Sequence, residues 1–171
     1  MTLEIEGRAR KFGDDINTDY IITSARKKET LDPERLKAFL FETLDPGFAA
    51  SVEPGDVIVA GTNFGCGSAM EVGVTVPLAA GITVVLAKSF ARTYYRNAIN
   101  NGLIPVECDT TSIDDLEPLV IAADAGAIRI DRPGGGPVLQ GRPVTDVALD
   151  ILLAGGLVSY MRAHGGFPSR P

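Results

Sequence analysis

The chain holds no tryptophan, one histidine and two cysteines in 171 residues. Each scarcity removes a class of chemistry. Cys66 and Cys108 form no C-x-x-C pair, and with a single imidazole they are too few to hold an iron–sulfur cluster or a structural zinc within this chain. Any metal chemistry would need ligands from a partner. The lone His164 lies near the C-terminus, so a serine in the middle of the chain has to work without the usual imidazole, or is only structural. No apolar run reaches the roughly 20 residues of a bilayer span, and Met1-Thr-Leu-Glu-Ile-Glu6 lacks a signal peptide's basic start and apolar core. The expectation is a cytoplasmic protein with no membrane partner. Positive charge is also short: 16 Lys and Arg against 22 Asp and Glu give a net charge of −6, so nucleic acid is not the expected partner. A local cationic pocket for a small acid remains compatible with that total.

What is present is enough to build a core. Hydrophobic residues make up 45% of the chain, and neither a linker nor a repeat divides it, so one domain over 1–171 is expected. A strand fits Leu3 to Phe12, followed by a polar turn from Gly13 to Asp19 whose Asp, Asn and Thr side chains compete with regular structure. Thr30 to Phe41 reads as a helix. Val57–Ala60, Ile82–Ala87 and Leu103–Cys108 read as buried strands. Between them lie two helical stretches, Ser68 to Ala80 with a kink or a break expected at Pro77, and Ser89 to Asn101 stopped by Gly102. Ala127–Asp131 and Pro137–Arg142 flank a glycine-rich turn as a hairpin. Asp146–Arg162 is apolar at helical spacing with an interruption at Gly155-Gly156, and the tail from His164 to Pro171 reads as loosely held. Alternation of strands and helices favours an α/β fold.

The densest chemistry lies in Gly61-Thr-Asn-Phe-Gly65-Cys66-Gly67-Ser68-Ala-Met-Glu71 and Ser89-Phe-Ala-Arg92-Thr-Tyr-Tyr-Arg96-Asn97-Ala-Ile-Asn100. Ser68 with Glu71 fits a capping box, in which both side chains satisfy free N–H groups at a helix start. A compatible reading gives Gly65 and Gly67 to an anion cradle, with the Ser68 hydroxyl among the donors. Two better-known serine and glycine motifs fail. Cys66 and Met70 stand where a G-x-S-x-G elbow needs glycine, and Gly65-Cys-Gly67-Ser-Ala-Met70 lacks the third glycine of a dinucleotide fingerprint. Arg92 and Arg96 share one helix face with Asn100 and no acidic partner on that helix; they read as a solvated surface or as a clamp for a di- or tricarboxylate. Cys66 reads as a small buried residue before it reads as a nucleophile.

Three motifs in this order, Asp15-Ile-Asn-Thr-Asp19-Tyr-Ile-Ile22, Asn63-Phe-Gly-Cys-Gly-Ser68 and Ala87-Lys-Ser-Phe-Ala-Arg92 with Tyr95-Arg-Asn-Ala-Ile-Asn-Asn-Gly102, resemble the small subunit of 3-isopropylmalate dehydratase. The likeness extends over most of the chain, including the closing Tyr160–Pro168 segment. The resemblance implies the swivelling β/β/α domain of the aconitase superfamily. It implies a partner, a large catalytic subunit carrying a [4Fe–4S] cluster, and no cofactor in this chain. It implies a small hydroxy-dicarboxylate substrate whose hydroxyl is moved between neighbouring carbons by loss and re-addition of water, in leucine biosynthesis. Ser68 then takes the family's role of catalytic base, and Gly65, Cys66, Gly67, Arg92 and Arg96 fall at substrate-binding positions. Where the family carries Gly-Ser-Ser-Arg-Glu-His, this chain carries Gly67-Ser68-Ala69-Met70-Glu71-Val72, without the arginine or the histidine. Arg26 or Lys27 is expected to restore that charge, and Met70 to offer an apolar wall to an alkyl group. Dimethylmalate, homoaconitate or a related malate, or a non-catalytic partner role, are the alternatives. Anaerobic reconstitution of the purified chain with iron and sulfide is expected to leave it colourless; a stable cluster absorbance on the isolated chain would overturn that expectation.

Overall fold

The computed structural model describes residues 3–124 and 127–166. Strand β1 (Leu3–Lys11) is long enough to serve two sheets at once. Its last residues, Ala9 to Lys11, pair in parallel with β2 (Val57–Ala60), which pairs with β3 (Val84–Ala87), which pairs with β4 (Ile104–Glu107). Its first residues, Leu3 to Arg8, pair antiparallel with β5 (Pro118–Asp124), followed by β6 (Ala127–Asp131) and β7 (Leu139–Gly141). The result is a seven-stranded mixed sheet in the order β4-β3-β2-β1-β5-β6-β7. Every residue of β2 and β3 is buried, as parallel strands covered on both faces require.

The alternation of side chains divides the core in two. Ile58, Ala60, Val85 and Ala87 face one cluster with Ile21, Phe41, Phe48, Phe64, Met70 and Val76. Val57, Val59, Val84 and Leu86 face another with Ile121, Ile128, Ile151 and Tyr160. Short helices α1 (Thr18–Ile21), α2 (Ser24–Glu29), α3 (Pro33–Leu36) and α4 (Phe48–Ser51) lie between β1 and β2. The two crossover helices are α5 (Val72–Ala79) and α6 (Arg92–Asn101). Helices α7 (Asp146–Leu153) and α8 (Leu157–His164) close the chain, separated at Gly155-Gly156 as the sequence suggests.

Three expectations need correction. The helix read over Thr30–Phe41 is α3 followed by a single 3-10 turn at Lys37–Phe39, because Asp32 caps at Glu34 N–H and Phe41 turns to positive φ. Strand β5 and the short helices α1, α2 and α4 form where the sequence pattern predicts no strand or helix; β5 is bounded by Pro118 at an exposed start, where a missing N–H costs nothing. His164 is no loose tail residue: it ends α8, with its ring stacked on Tyr160 at 4.3 Å and Nδ1 3.0 Å from the Tyr160 carbonyl. The rest of the closing segment, 167–171, lies outside the described residues.

One buried charge cluster ties β1 to the entry of β2. Asp56, 3% exposed, accepts from Arg8 Nε at 2.8 Å, from Arg10 Nη1 at 3.1 Å and from the Glu53 N–H at 3.0 Å. Arg10 also lies over the Phe48 ring. Burial pushes the Asp56 carboxyl upward, but the Arg8, Glu53 and Arg10 hydrogen bonds outweigh it, so the group settles below the ordinary carboxylate range. Asp56→Ala would strand Arg10 and should cost about 3–5 kcal/mol. Because the folded value lies below the unfolded one, this contribution is complete above roughly pH 4 and is lost as pH falls through the folded value. Urea titrations of the parent between pH 3 and 7 should show that loss, and Asp56→Asn should flatten the carboxylate-dependent part of the curve; a stability of Asp56→Ala within 1 kcal/mol of the parent would contradict the account.

Candidate active site

The parallel half of the sheet places the loops after β1, β2 and β3 at one edge, the carboxyl edge where α/β folds build sites. Each loop carries one of the three motifs. They bind one another mainly through backbone. Asp15 N–H donates to the Thr62 carbonyl at 2.9 Å, Gly65 N–H to Ile16 at 2.8 Å, and Thr18 N–H to Cys66 at 2.8 Å. On the other side Phe64 N–H donates to the Ser89 carbonyl at 3.0 Å, and Ala91 N–H to the Phe64 carbonyl at 2.9 Å. The glycine loop therefore lies as a strand-like piece between the other two.

Its path demands glycine at two points. Gly65 has φ +79 and a Cβ there would meet Cγ of Tyr94; Gly67 has φ +91 and a Cβ would meet the Asn17 amide. Asn63 and Asp15, both at positive φ, are joined by Asn63 Nδ2 donating to Asp15 Oδ1 at 2.9 Å. Asp14 accepts from Thr62 N–H, and Asp19 from Ser24 N–H and Oγ. The acidic turn is spent on loop geometry.

The capping box expected at Ser68 does not form. Thr18 Oγ1 donates to the Ser68 carbonyl at 2.8 Å, where the chain bends; the helix begins only at α5, with Glu71 as its N-cap and no side-chain cap. Ser68 is exposed, and among the described residues its hydroxyl has no hydrogen-bond partner. With Gly65, Gly67, Thr18, Met70, Arg92, Tyr94 and Asn97, it lines a small concavity of about 70 Å³. The first turn of α6 opens onto it: Ala91, Arg92 and Thr93 are at its rim, and Ala91 provides no side-chain cap. Free N–H groups at such an end favour a negative charge.

The other expected residues fall into three groups. Arg92 borders the Ser68 concavity. Arg96, one turn on, does not; it lines two adjoining grooves of about 730 and 560 Å³, the first of which Arg92 shares. Both arginines are exposed, without an ion pair among the described residues. Cys66 is half-buried, and its carbonyl is the acceptor for Thr18. Arg26 and Lys27, on α2, do not line the concavity. Arg26 is engaged elsewhere, donating to Glu42 through Nε and Nη2 at 3.1 and 3.2 Å and stacking over Phe39. Lys27 makes no ion pair among the described residues. Met70 is 4% exposed and packs in the core, so it has little surface to offer an alkyl group; an unbranched thioether fills that gap where a charge could not. Two residues emerge that the sequence reading had not assigned to the site, Thr18 and Asn97. Asn97 Nδ2 donates to the Met70 carbonyl at 3.3 Å, and its Oδ1 accepts from Asn101 Nδ2 at 2.9 Å. Both sit inside the quoted motifs, but only the loop packing gives them a role.

A free serine on a glycine loop, beside an uncapped helix start and an arginine at the carboxyl edge of a mixed sheet, marks an α/β domain with an anion site. Comparison with known proteins narrows this. Residues 21–111 match the Aconitase C-terminal domain family. The chain is 43% identical over 166 residues to 3-isopropylmalate dehydratase small subunit 2 of Archaeoglobus fulgidus, covering 95% of this chain and 98% of that protein. It is 44% identical over 158 residues to the methanogen homoaconitase small subunit of Methanocaldococcus jannaschii, covering 92% and 91%. The crystal structure of 3-isopropylmalate dehydratase (leuD) from Methanocaldococcus jannaschii superposes with a TM-score of 0.90 at 42% identity, covering 95% of this chain and 96% of that one. The chain therefore belongs to the Aconitase C-terminal domain family, among the small subunits of 3-isopropylmalate dehydratase type.

Gly65→Ala should destabilise the chain by at least about 2 kcal/mol, combining positive-φ strain with overpacking against Tyr94. Gly13→Ala, which meets nothing within 4 Å and has no positive φ, should stay within about 1 kcal/mol of the parent. Equal melting temperatures for the two variants would show that the loop is not packed as described.

Proposed function

We propose that this chain is the small subunit of a two-subunit hydro-lyase of the 3-isopropylmalate dehydratase type, active only with its large subunit and working in the cytoplasm. The observation that carries the reading is the Ser68 hydroxyl, without a hydrogen-bond partner among the described residues, on a glycine turn that shares one concavity with the uncapped first turn of α6 and Arg92. Ser68 is the base that removes the carbon-bound proton next to the departing hydroxyl. A serine hydroxyl is a very weak base, so its alkoxide has to be stabilised before it can act. The α6 N-terminus and the Arg92 guanidinium provide that stabilisation, and closure against a partner would exclude water and strengthen both. Arg92 also suits a bidentate grip on a substrate carboxylate, with Arg96 extending the cationic edge toward the partner.

The iron–sulfur cluster of the family is assigned to the large subunit. This chain's donors do not fit one: Cys66 sits on the glycine turn, Cys108 is buried with its thiol pushed up to about 11 by burial and by Asp109, and no group of three or more candidate ligands gathers among the described residues. The substrate is a small hydroxy-dicarboxylate. An alkyl-substituted malate such as 3-isopropylmalate is favoured over a tricarboxylate, because position 70 supplies a buried thioether instead of a cation and Arg26 is bound to Glu42.

The test is to co-express the chain with its large subunit and assay 3-isopropylmalate, dimethylmalate, homoaconitate and citrate. Ser68→Ala should lower kcat by about a thousandfold or more. Its melting temperature should stay at that of the parent, since the hydroxyl caps nothing. Near-normal turnover by Ser68→Ala would remove the base assignment, and preference for citrate or homoaconitate would remove the substrate assignment.

A further inference from the structure

Tyr94 is buried at 3% exposure, yet it lines the Ser68 concavity and touches the glycine turn, the loop after β3 and α5. Its ring lies directly against Gly65, stands edge-on to Phe64 at 5.1 Å between centroids, and lies parallel to Phe90 at 6.4 Å. Its backbone belongs to the first turn of α6, two residues beyond Arg92. Its hydroxyl donates to the Gly73 carbonyl in α5 at 3.0 Å. That carbonyl has a particular need. Residue 77, four places on, would normally donate an N–H to it, but Pro77 has none. In this buried position the carbonyl would otherwise be left without a partner.

The helix thus runs through its proline, where the sequence suggests a kink or a break, and the phenol makes good the missing bond. We propose that Tyr94 is a positioning residue: its hydroxyl replaces the α5 hydrogen bond that Pro77 removes, its ring supports the glycine turn, and together these fix Ser68 relative to Arg92. Burial raises the phenol far above its ordinary value, so the group stays a neutral donor throughout the working pH range. Pro77 and Tyr94 are in this sense one device. Residue 94 has to be a tyrosine, rather than another aromatic of the same shape, for as long as residue 77 is a proline.

The catalytic part of this proposal rests on the hydro-lyase reading, so the experiment has two arms. Amide hydrogen exchange on the small subunit alone should show the hydrogen-bonded Phe64 and Gly65 amides of the loop exchanging at least tenfold faster in Tyr94→Phe, with Val57–Ala60 and Val84–Ala87 unchanged. In the enzyme assembled with its large subunit, Tyr94→Phe should lower kcat tenfold or more, with affinity for the large subunit unaltered. Pro77→Ala restores an N–H opposite Gly73. The double variant Pro77→Ala/Tyr94→Phe should therefore recover both readouts to within threefold of Pro77→Ala alone. Loop exchange within twofold of the parent, uniform acceleration across the strands, or absence of rescue would each overturn the proposal. Absence of turnover in the parent enzyme would count against the hydro-lyase reading, while the exchange arm would still decide the role of Tyr94.

Discussion

Backbone pairing among three loops is the constraint on which the rest depends. The loop after β2 has no regular partner of its own, yet at Phe64 and Gly65 it is buried, and the N–H and carbonyl groups there must be satisfied. It solves this by lying between the loops after β1 and β3, accepting and donating on both sides. Glycine at 65 and 67 is needed because the neighbours come so close, Tyr94 beneath one and Asn17 beside the other. With the backbone held there, Thr18 grips the Ser68 carbonyl and the serine side chain is turned outward with its hydroxyl free.

Charge is distributed with a similar economy. The chain is acidic overall, and many of its arginines are committed to internal acids: Arg8 and Arg10 to Asp56, Arg26 to Glu42, Arg132 to Glu117, Arg142 to Glu107. Arg92 and Arg96 are not, although Arg142 with Glu107 stands across the larger groove from them. A cationic edge without internal partners, next to an uncapped helix start, suits an anion or an acidic surface arriving from outside.

Much of the fold was legible because burial leaves a strong imprint on sequence. Val57–Ala60 is uniformly apolar because both faces of the sheet are covered, and that run was read with its observed bounds. Gly102 as the stop of α6, in the left-handed region, and the break at Gly155-Gly156 follow from backbone sterics that only glycine relieves. The misreadings share a cause. Ser68 with Glu71 satisfied a local capping rule, and Thr30–Phe41 satisfied a local helix pattern, but hydrogen bonds from distant residues and a positive-φ turn at Phe41 decided otherwise. Strand β5 leaves little imprint on the sequence because its buried residues Leu119, Ile121 and Ala123 alternate with partly or fully exposed ones, and only one of its two partners, β6, is near in sequence while β1 is over a hundred positions away.

The sequence by itself determined the family, through three ordered motifs, and with it the serine and the arginine pair as the residues to watch. It also showed that soft ligands are scarce, two cysteines and one histidine. Only the tertiary structure decided which of those residues meet. Arg92 reaches the serine concavity while Arg96 lies a turn away, Arg26 is consumed by Glu42, and Met70 turns into the core. The reason is that a side chain's availability depends on what other parts of the chain have already claimed. Hydrogen bonds such as Thr18 to Ser68 and Tyr94 to Gly73 join residues that sequence order keeps far apart.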